Sequence, residues 1–343
     1  MTFRDDEKAR YESIKFKLFS KAACQPGVYR GISRSFCLQN DCSTENLYVE
    51  FRRDALTYFR TRAIGWHDGL LDRQGNKKGL PSNHLCCSQS SCVNCLWPMT
   101  THPGLLASVF RPFFPELAEG LPITADDPLP DGTQPYLAFE WIGKKGSNYL
   151  NEIGNRARGA NATSADFAFR FQRHDGRIQL VLGEWKYTEH YLAKQVDTNP
   201  TRRRIHREHF EQWQKQQPLL PEYSTFFIEP FYQLMRLTLL AQAMERARAE
   251  GEGEMGADLV SVLVVAPKAN RDYTENFTTP ALAQFGRTIG AAWAYLAPPD
   301  RFLAIATESL LTTIEQVAPE PLHAWRNYVL TRYGWWRTAG PTQ

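Results

Sequence analysis

The chain has no apolar run approaching the ~18 residues that a membrane span requires, so no membrane-crossing segment is expected. Its first residues, Met-Thr-Phe-Arg-Asp-Asp-Glu-Lys, put charges where a secretory signal would carry its apolar segment, and a cytoplasmic protein is expected. Low-complexity tracts are absent. The seven cysteines are odd in number and unevenly spaced, which fits a reduced compartment better than a disulfide scaffold. An excess of one charge is lacking too: 40 Lys and Arg stand against 37 Asp and Glu, a net of +3. That balance neither demands nor excludes nucleic acid, so a binding face has to come from local clustering. What is present is an ordinary globular composition, 43% hydrophobic and 22% charged, in a chain of 343 residues that suffices for one large domain or two smaller ones.

The most informative stretch runs from Ser164 to Tyr187. Two β-rich segments flank His174-Asp175-Gly176, and Asp-Gly between such segments is a strong hairpin signal, with Gly176 suited to a positive φ. A three-residue loop centred on Asp175 sets Asp166 opposite Glu184, with Cβ atoms ~5 Å apart. Lys186, two residues beyond Glu184, points to the same sheet face. Directly opposed carboxylates repel and resist joint ionisation. A divalent cation removes that conflict, since hard oxygen ligands suit Mg²⁺. The lysine adds positive charge where a phosphate or a developing hydroxide could be held. The plain alternative is a surface ion pair between Lys186 and either acid, worth ~0–1 kcal/mol.

Asp166, 17 further residues, then Glu184-Trp185-Lys186 resembles the active-site signature of the PD-(D/E)XK superfamily of phosphodiesterases, the restriction-endonuclease-like nucleases. Ala165 stands where the nominal motif has proline. Gly159 to Asp166, Gly183 to Glu189 and Arg332-Tyr-Gly-Trp335 resemble one bacterial branch of that group, in blocks scattered over residues 60–336. The resemblance implies an α/β fold with a restriction-endonuclease-like core, a mixed central sheet flanked by helices, extended by helical N- and C-terminal segments. It implies Mg²⁺ or Mn²⁺ held by Asp166, Glu184 and the carbonyl of Trp185, with Lys186 orienting or deprotonating the attacking water. Glu140, in a Phe-Glu segment ahead of the hairpin, would help hold metal or position water; pairing with Lys144 or Lys145 is its structural alternative. The activity expected is that of a Mg²⁺-dependent endonuclease, on DNA before RNA, with restriction or phage defence as the setting.

The remaining chain divides into an N-terminal extension (1–100), a nuclease core (101–270) and a C-terminal helical segment (271–343). Arg10 to Phe19 is ambiguous between helix and strand, whereas Glu45 to Ala63 has apolar residues at helical spacing. Asp72 to Lys78 reads as a polar loop. A helix is expected from Leu105, interrupted near Pro112 and ended by Gly120. Tyr136 to Gly143 reads as a strand. Glu229 to Glu250 is the clearest helix, with Pro230 at its start, Gly251 at its end and Leu234, Leu237, Ala241 and Met244 on one face. Asp258 to Ala266 reads as a buried parallel strand. Further helices are expected over 282–295, 309–317 and 322–333.

Candidate phosphate contacts are Arg156 and Arg158 in a glycine-rich basic segment, and Arg202, Arg203 and Arg204 in the run Thr201 to Arg207. Gln233, beside Tyr232, resembles a position some superfamily members use near the active site. His84, Cys87, Cys92 and Cys95 could supply four soft ligands to Zn²⁺, but only Cys92-x2-Cys95 has the knuckle form, so buried thiols are the simpler account. Two other functions stay open: a nuclease fold that binds nucleic acid without cutting, and a zinc-stabilised adaptor. A second copy of the chain or a partner protein could supply targeting.

Overall fold

The hairpin is the spine of the computed structural model, which describes residues 2–69, 79–159, 161–196, 200–251 and 253–337; the polar loop expected at Asp72 to Lys78 lies outside them. In chain order come α1 (Phe3–Leu18), β1 (Gly27–Tyr29), β2 (Ile32–Arg34), α2 (Arg52–Thr61), α3 (Ser88–Leu96) and α4 (Pro103–Phe110). Then follow β3 (Leu117–Leu121), β4 (Leu137–Trp141), β5 (Ala165–Arg173), β6 (Ile178–Trp185), α5 (Pro200–Gln216), α6 (Phe231–Ala249) and β7 (Leu259–Ala266). The chain closes with α7 (Arg271–Thr274), α8 (Ile289–Leu296), β8 (Phe302–Ala306), α9 (Thr307–Val317) and α10 (His323–Tyr333).

Six strands form a mixed sheet in the order β3-β5-β6-β7-β8, with β4 also paired to β5. Strands β3 and β4 lie end to end along one edge of β5, both antiparallel to it. β5 and β6 are antiparallel, and β6, β7 and β8 run parallel. The β5–β6 turn is the expected three-residue loop: Arg173 N–H donates to Arg177 O at 2.8 Å, and Gly176 has φ 83°. All eight residues of β7 are buried, because helices cover both faces of a central parallel strand. Phe167, Phe169, Phe171, Val181 and Trp185 pack toward the N-terminal helices and α9 and α10. Ala168, Leu180, Leu182 and Val262 pack toward α5, α6 and α8. This is the α/β, restriction-endonuclease-like arrangement the resemblance implies.

Several expectations need correction. Gly120 does not end a helix but lies in β3, because Pro112 stops helical hydrogen bonding early and Leu117 to Leu121 pair with the outer half of β5. The helix expected over 45–63 begins only at Arg52, behind a 3₁₀ turn over Asn40–Asn46. Arg10 to Leu18 is helical and Phe19 is the extended residue that ends α1, whose start is capped by Thr2 Oγ1 accepting from Asp5 N–H at 3.2 Å. β8 joins the central sheet from a segment expected to be helical overall, so the sheet draws on residues beyond 270. The run Thr201 to Arg207 lies within α5.

Candidate active site

Phe167 pairs with Gly183, so the next step of the ladder sets Asp166 against Glu184. Gly183 is required there: a Cβ would stand 2.2 Å from the Phe167 ring. Alternation along β6 turns Glu184 and then Lys186 toward α6 and sends Trp185 the other way, where its indole N–H donates to Ser91 Oγ at 2.7 Å. Asp166 Oδ2 accepts from Trp185 N–H at 2.7 Å. Lys186 Nζ stands 2.6 Å from Glu184 Oε1 and donates to Gln233 Oε1 at 2.7 Å and Tyr191 Oη at 3.0 Å. Glu184 is 1% exposed, and neither of its oxygens has an aligned donor.

Burial, then the charge of Glu140, pushes the Asp166 carboxyl up to about 7. Glu184 lies well above the usual carboxylate range, from burial first and Asp166 second. Burial works to lower the Lys186 ammonium, but the Glu184 carboxylate and neighbouring tyrosines carry it well above its ordinary value, so it remains charged. Two buried acids that disfavour joint ionisation, one without an aligned donor, form a donor set that fits a hard divalent cation.

Glu140 faces the same cleft from β4 with φ 50°, a left-handed conformation costly for a glutamate. Arg158 secures that backbone by donating to the carbonyls of Phe139 and Glu140. The Glu140 side chain accepts from Gln89 Nε2 at 2.7 Å and Ser164 Oγ at 3.0 Å. Lys144 does not pair with it and reaches Gly253 O instead. Burial raises the Glu140 carboxyl, and the Gln89 and Ser164 bonds moderate the rise.

The loop carrying the chain into β5 hangs on Glu152. Its carboxylate accepts from Thr163 N–H at 2.9 Å, Thr163 Oγ1 at 2.7 Å and His206 Nε2 at 3.3 Å. Burial alone would raise its pKa, but the His206 and Thr163 donors bring it down to about 2 from an ordinary 4.5. A carboxyl depressed on folding stabilises above its unfolded pKa and loses that contribution as pH falls through the folded value. Glu152→Gln should therefore cost about 2–3 kcal/mol at neutral pH. The gap from wild type should close between pH 4.5 and about 2, as read by urea unfolding across that range. A pH-independent gap would mean that the ionised form contributes nothing.

The expected phosphate contacts lie elsewhere. Arg158 is inside the protein: Nη1 meets Asp126 Oδ1 at 2.8 Å and Nη2 meets Tyr58 Oη at 2.8 Å, leaving no face toward a ligand. Arg156 folds back onto Ser147 O at 2.5 Å. Arg203 lies over the Phe227 ring at 4.7 Å, and Arg204 is exposed 3.5 Å from Glu208. Arg202 is half-buried near Tyr232, outside the cleft lining. Gln233 does reach the site, with its oxygen taken by Lys186.

Cys87, Cys92 and Cys95 are buried, and burial raises all three thiols. His84 Nδ1 accepts from Cys86 N–H at 3.1 Å. Among the described residues no group of three or more His, Cys, Asp or Glu comes together as a metal site, which removes the support for a zinc-stabilised adaptor. By the same measure Glu140 does not complete a three-acid cluster, so a cation here would rely on Asp166, Glu184, a carbonyl and water.

Glu140, Asp166, Glu184, Lys186 and Gln233 open into a cleft of about 1130 Å³, whose wall also includes His190, Arg4, Arg30 and Arg236. Sequence reading missed Tyr191 and Arg236, and gave Gln89 no partner. The Gln89–Glu140 contact spans 51 positions, and such a contact leaves no local pattern in the sequence. Among the described residues no helix is long and apolar enough to cross a membrane. No curated protein and no solved structure matches the chain. Residues 9–334 match the family described as restriction endonuclease associating with ARP, and with nearly its whole length covered the chain belongs to that family.

Proposed function

We propose that the protein is a metal-dependent endonuclease that hydrolyses phosphodiester bonds, in DNA before RNA. The observation that carries this reading is the convergence of Asp166, Glu184 and the Lys186 ammonium on one face of the β5–β6 hairpin, open to a large cleft. Asp166 and Glu184, with the carbonyl of Trp185, would hold Mg²⁺ or Mn²⁺. A bound divalent ion supplies Lewis-acid polarisation and a more acidic water.

The chain's own groups do the rest. Lys186, hydrogen-bonded to Gln233 and Tyr191 and ion-paired with Glu184, presents a fixed positive charge to the phosphate and orients water rather than taking its proton. Glu140, set by Gln89 and Ser164, positions the attacking water. No nucleophilic cysteine is needed, and Cys92 is buried with its thiol raised. Restriction or phage defence is the setting this reading favours, and the family's description supports it; a partner of the ARP kind, or a second copy of the chain, would supply targeting.

The test is cleavage of plasmid, linear duplex and single-stranded DNA with Mg²⁺ or Mn²⁺, with chelator, and with Asp166→Asn. Cleavage lost on chelation and reduced by about 10²–10⁴ in Asp166→Asn is expected. Nucleic-acid binding without cleavage under every condition would show a binding module instead.

A further inference from the structure

Among the described residues, every Arg or Lys on the cleft wall but one has a protein acceptor. Lys186 is held as described above. Arg30 Nη2 lies 3.2 Å from both oxygens of Asp68, and Arg4 Nε donates to Thr188 O at 2.9 Å. Among the described residues, the Arg236 side chain has no hydrogen bond and no carboxylate within ion-pair distance, and its Nε is buried without an acceptor. A guanidinium carries five donors and cannot shed its charge, so leaving it unmatched at a half-buried site is costly. The Tyr232 ring, 5.0 Å from its carbon, holds it in place, and the Tyr232 hydroxyl beside it also lacks a partner.

Position along α6 says what the acceptor is. Gln233 touches Lys186, and Arg236 lies three residues on, the same helix face about 5 Å away. That offset is of the same order as the roughly 3.4 Å of axis between successive charges of one nucleic-acid strand. We infer that Arg236 grips the phosphate next to the one that faces Lys186, so that the nucleic-acid strand follows the first two turns of α6. This inference rests on the cleft being a nucleic-acid site. It replaces the arginines of 156–158 and 202–204 as the source of backbone contact.

The experiment uses the full chain carrying Lys186→Ala, so that labelled duplex and single strand stay intact in Mg²⁺. Affinity is read by fluorescence anisotropy over a salt series. Arg236→Ala should weaken binding tenfold or more at about 0.1 M salt, equally for unrelated sequences, and lower the slope of log K against log salt by about 1. Arg236→Lys should keep the slope and regain part of the affinity. Arg236→Gln takes the place of alanine if the alanine variant fails to unfold cooperatively. An unchanged slope, an effect confined to one sequence, or no nucleic-acid binding by the parent overturns the inference. Cleavage by the chain with Lys186 intact is scored separately. Arg236-dependent binding without cleavage removes the nuclease reading and keeps this one, whereas cleavage with Arg236-independent binding does the reverse.

Discussion

Lys186→Ala is expected to lower single-turnover DNA cleavage by about 10²–10⁴-fold at saturating Mg²⁺. Lys186 is 5% exposed and its ammonium is held by Glu184, Gln233 and Tyr191, so its position is set before substrate arrives. Among the described residues no other lysine lines the cleft to stand in for it. Removing it takes away the ammonium 2.6 Å from Glu184 that repels a divalent cation at the Asp166–Glu184 pair, although both acids then lose a charge that favours their ionised forms. Divalent-ion affinity should therefore hold or rise in Lys186→Ala while cleavage collapses; Asp166→Asn should lose both. Calorimetric titration of Mn²⁺ into each variant separates the two effects. Full activity in Lys186→Ala would place the chemistry at another centre.

The second large effect concerns stability. Arg332 is completely buried with no carboxylate within ion-pair distance among the described residues. Its charge is met by dipoles and rings instead. Nη1 donates to Asn46 O at 2.8 Å and Tyr328 Oη at 2.5 Å, and Nη2 donates to Asn46 Oδ1. The rings of Tyr11, Phe19, Tyr328 and Tyr333 lie within 5.8 Å of its carbon. Its own carbonyl accepts from Arg10 and Tyr11 of α1. Tyr11 in turn meets Tyr187 Oη at 3.1 Å, one residue past Lys186. Arg332→Met would strand the Asn46 acceptors and loosen the junction of α1, α10 and the end of β6. A loss of about 3–5 kcal/mol is expected, read as a lower urea midpoint at unchanged slope. A loss under about 1 kcal/mol would show that the apolar rings alone hold this junction.

Much of the site was legible in the sequence because it is local. The hairpin sets Asp166 against Glu184 through a turn signal at Asp175-Gly176 and strict alternation, and both act over a few residues. Lys186 follows from the same alternation. The long helix and the buried strand after it were legible for a similar reason, since their apolar content runs unbroken between clear breakers. Where local signals compete, reading failed. Gly120 marks a helix end in isolation but is drawn into β3 by the free edge of β5. The short strand over Phe302–Ala306 has too little pattern to stand out until β7 offers it an edge.

The sequence by itself determined the chemistry available: an acid pair with a lysine on one strand face, in a chain with neither a membrane-spanning run nor a strong net charge. Only the tertiary structure decided which other residues join them. A count of arginines cannot tell a guanidinium spent on Asp126 and two carbonyls, as in Arg158, from one left without an acceptor, as in Arg236. That distinction depends on long-range packing, which brings Gln89 to Glu140, α6 to Lys186 and α1 to Tyr187. Burial then sets the charge state of each group, and burial is a property of the folded whole.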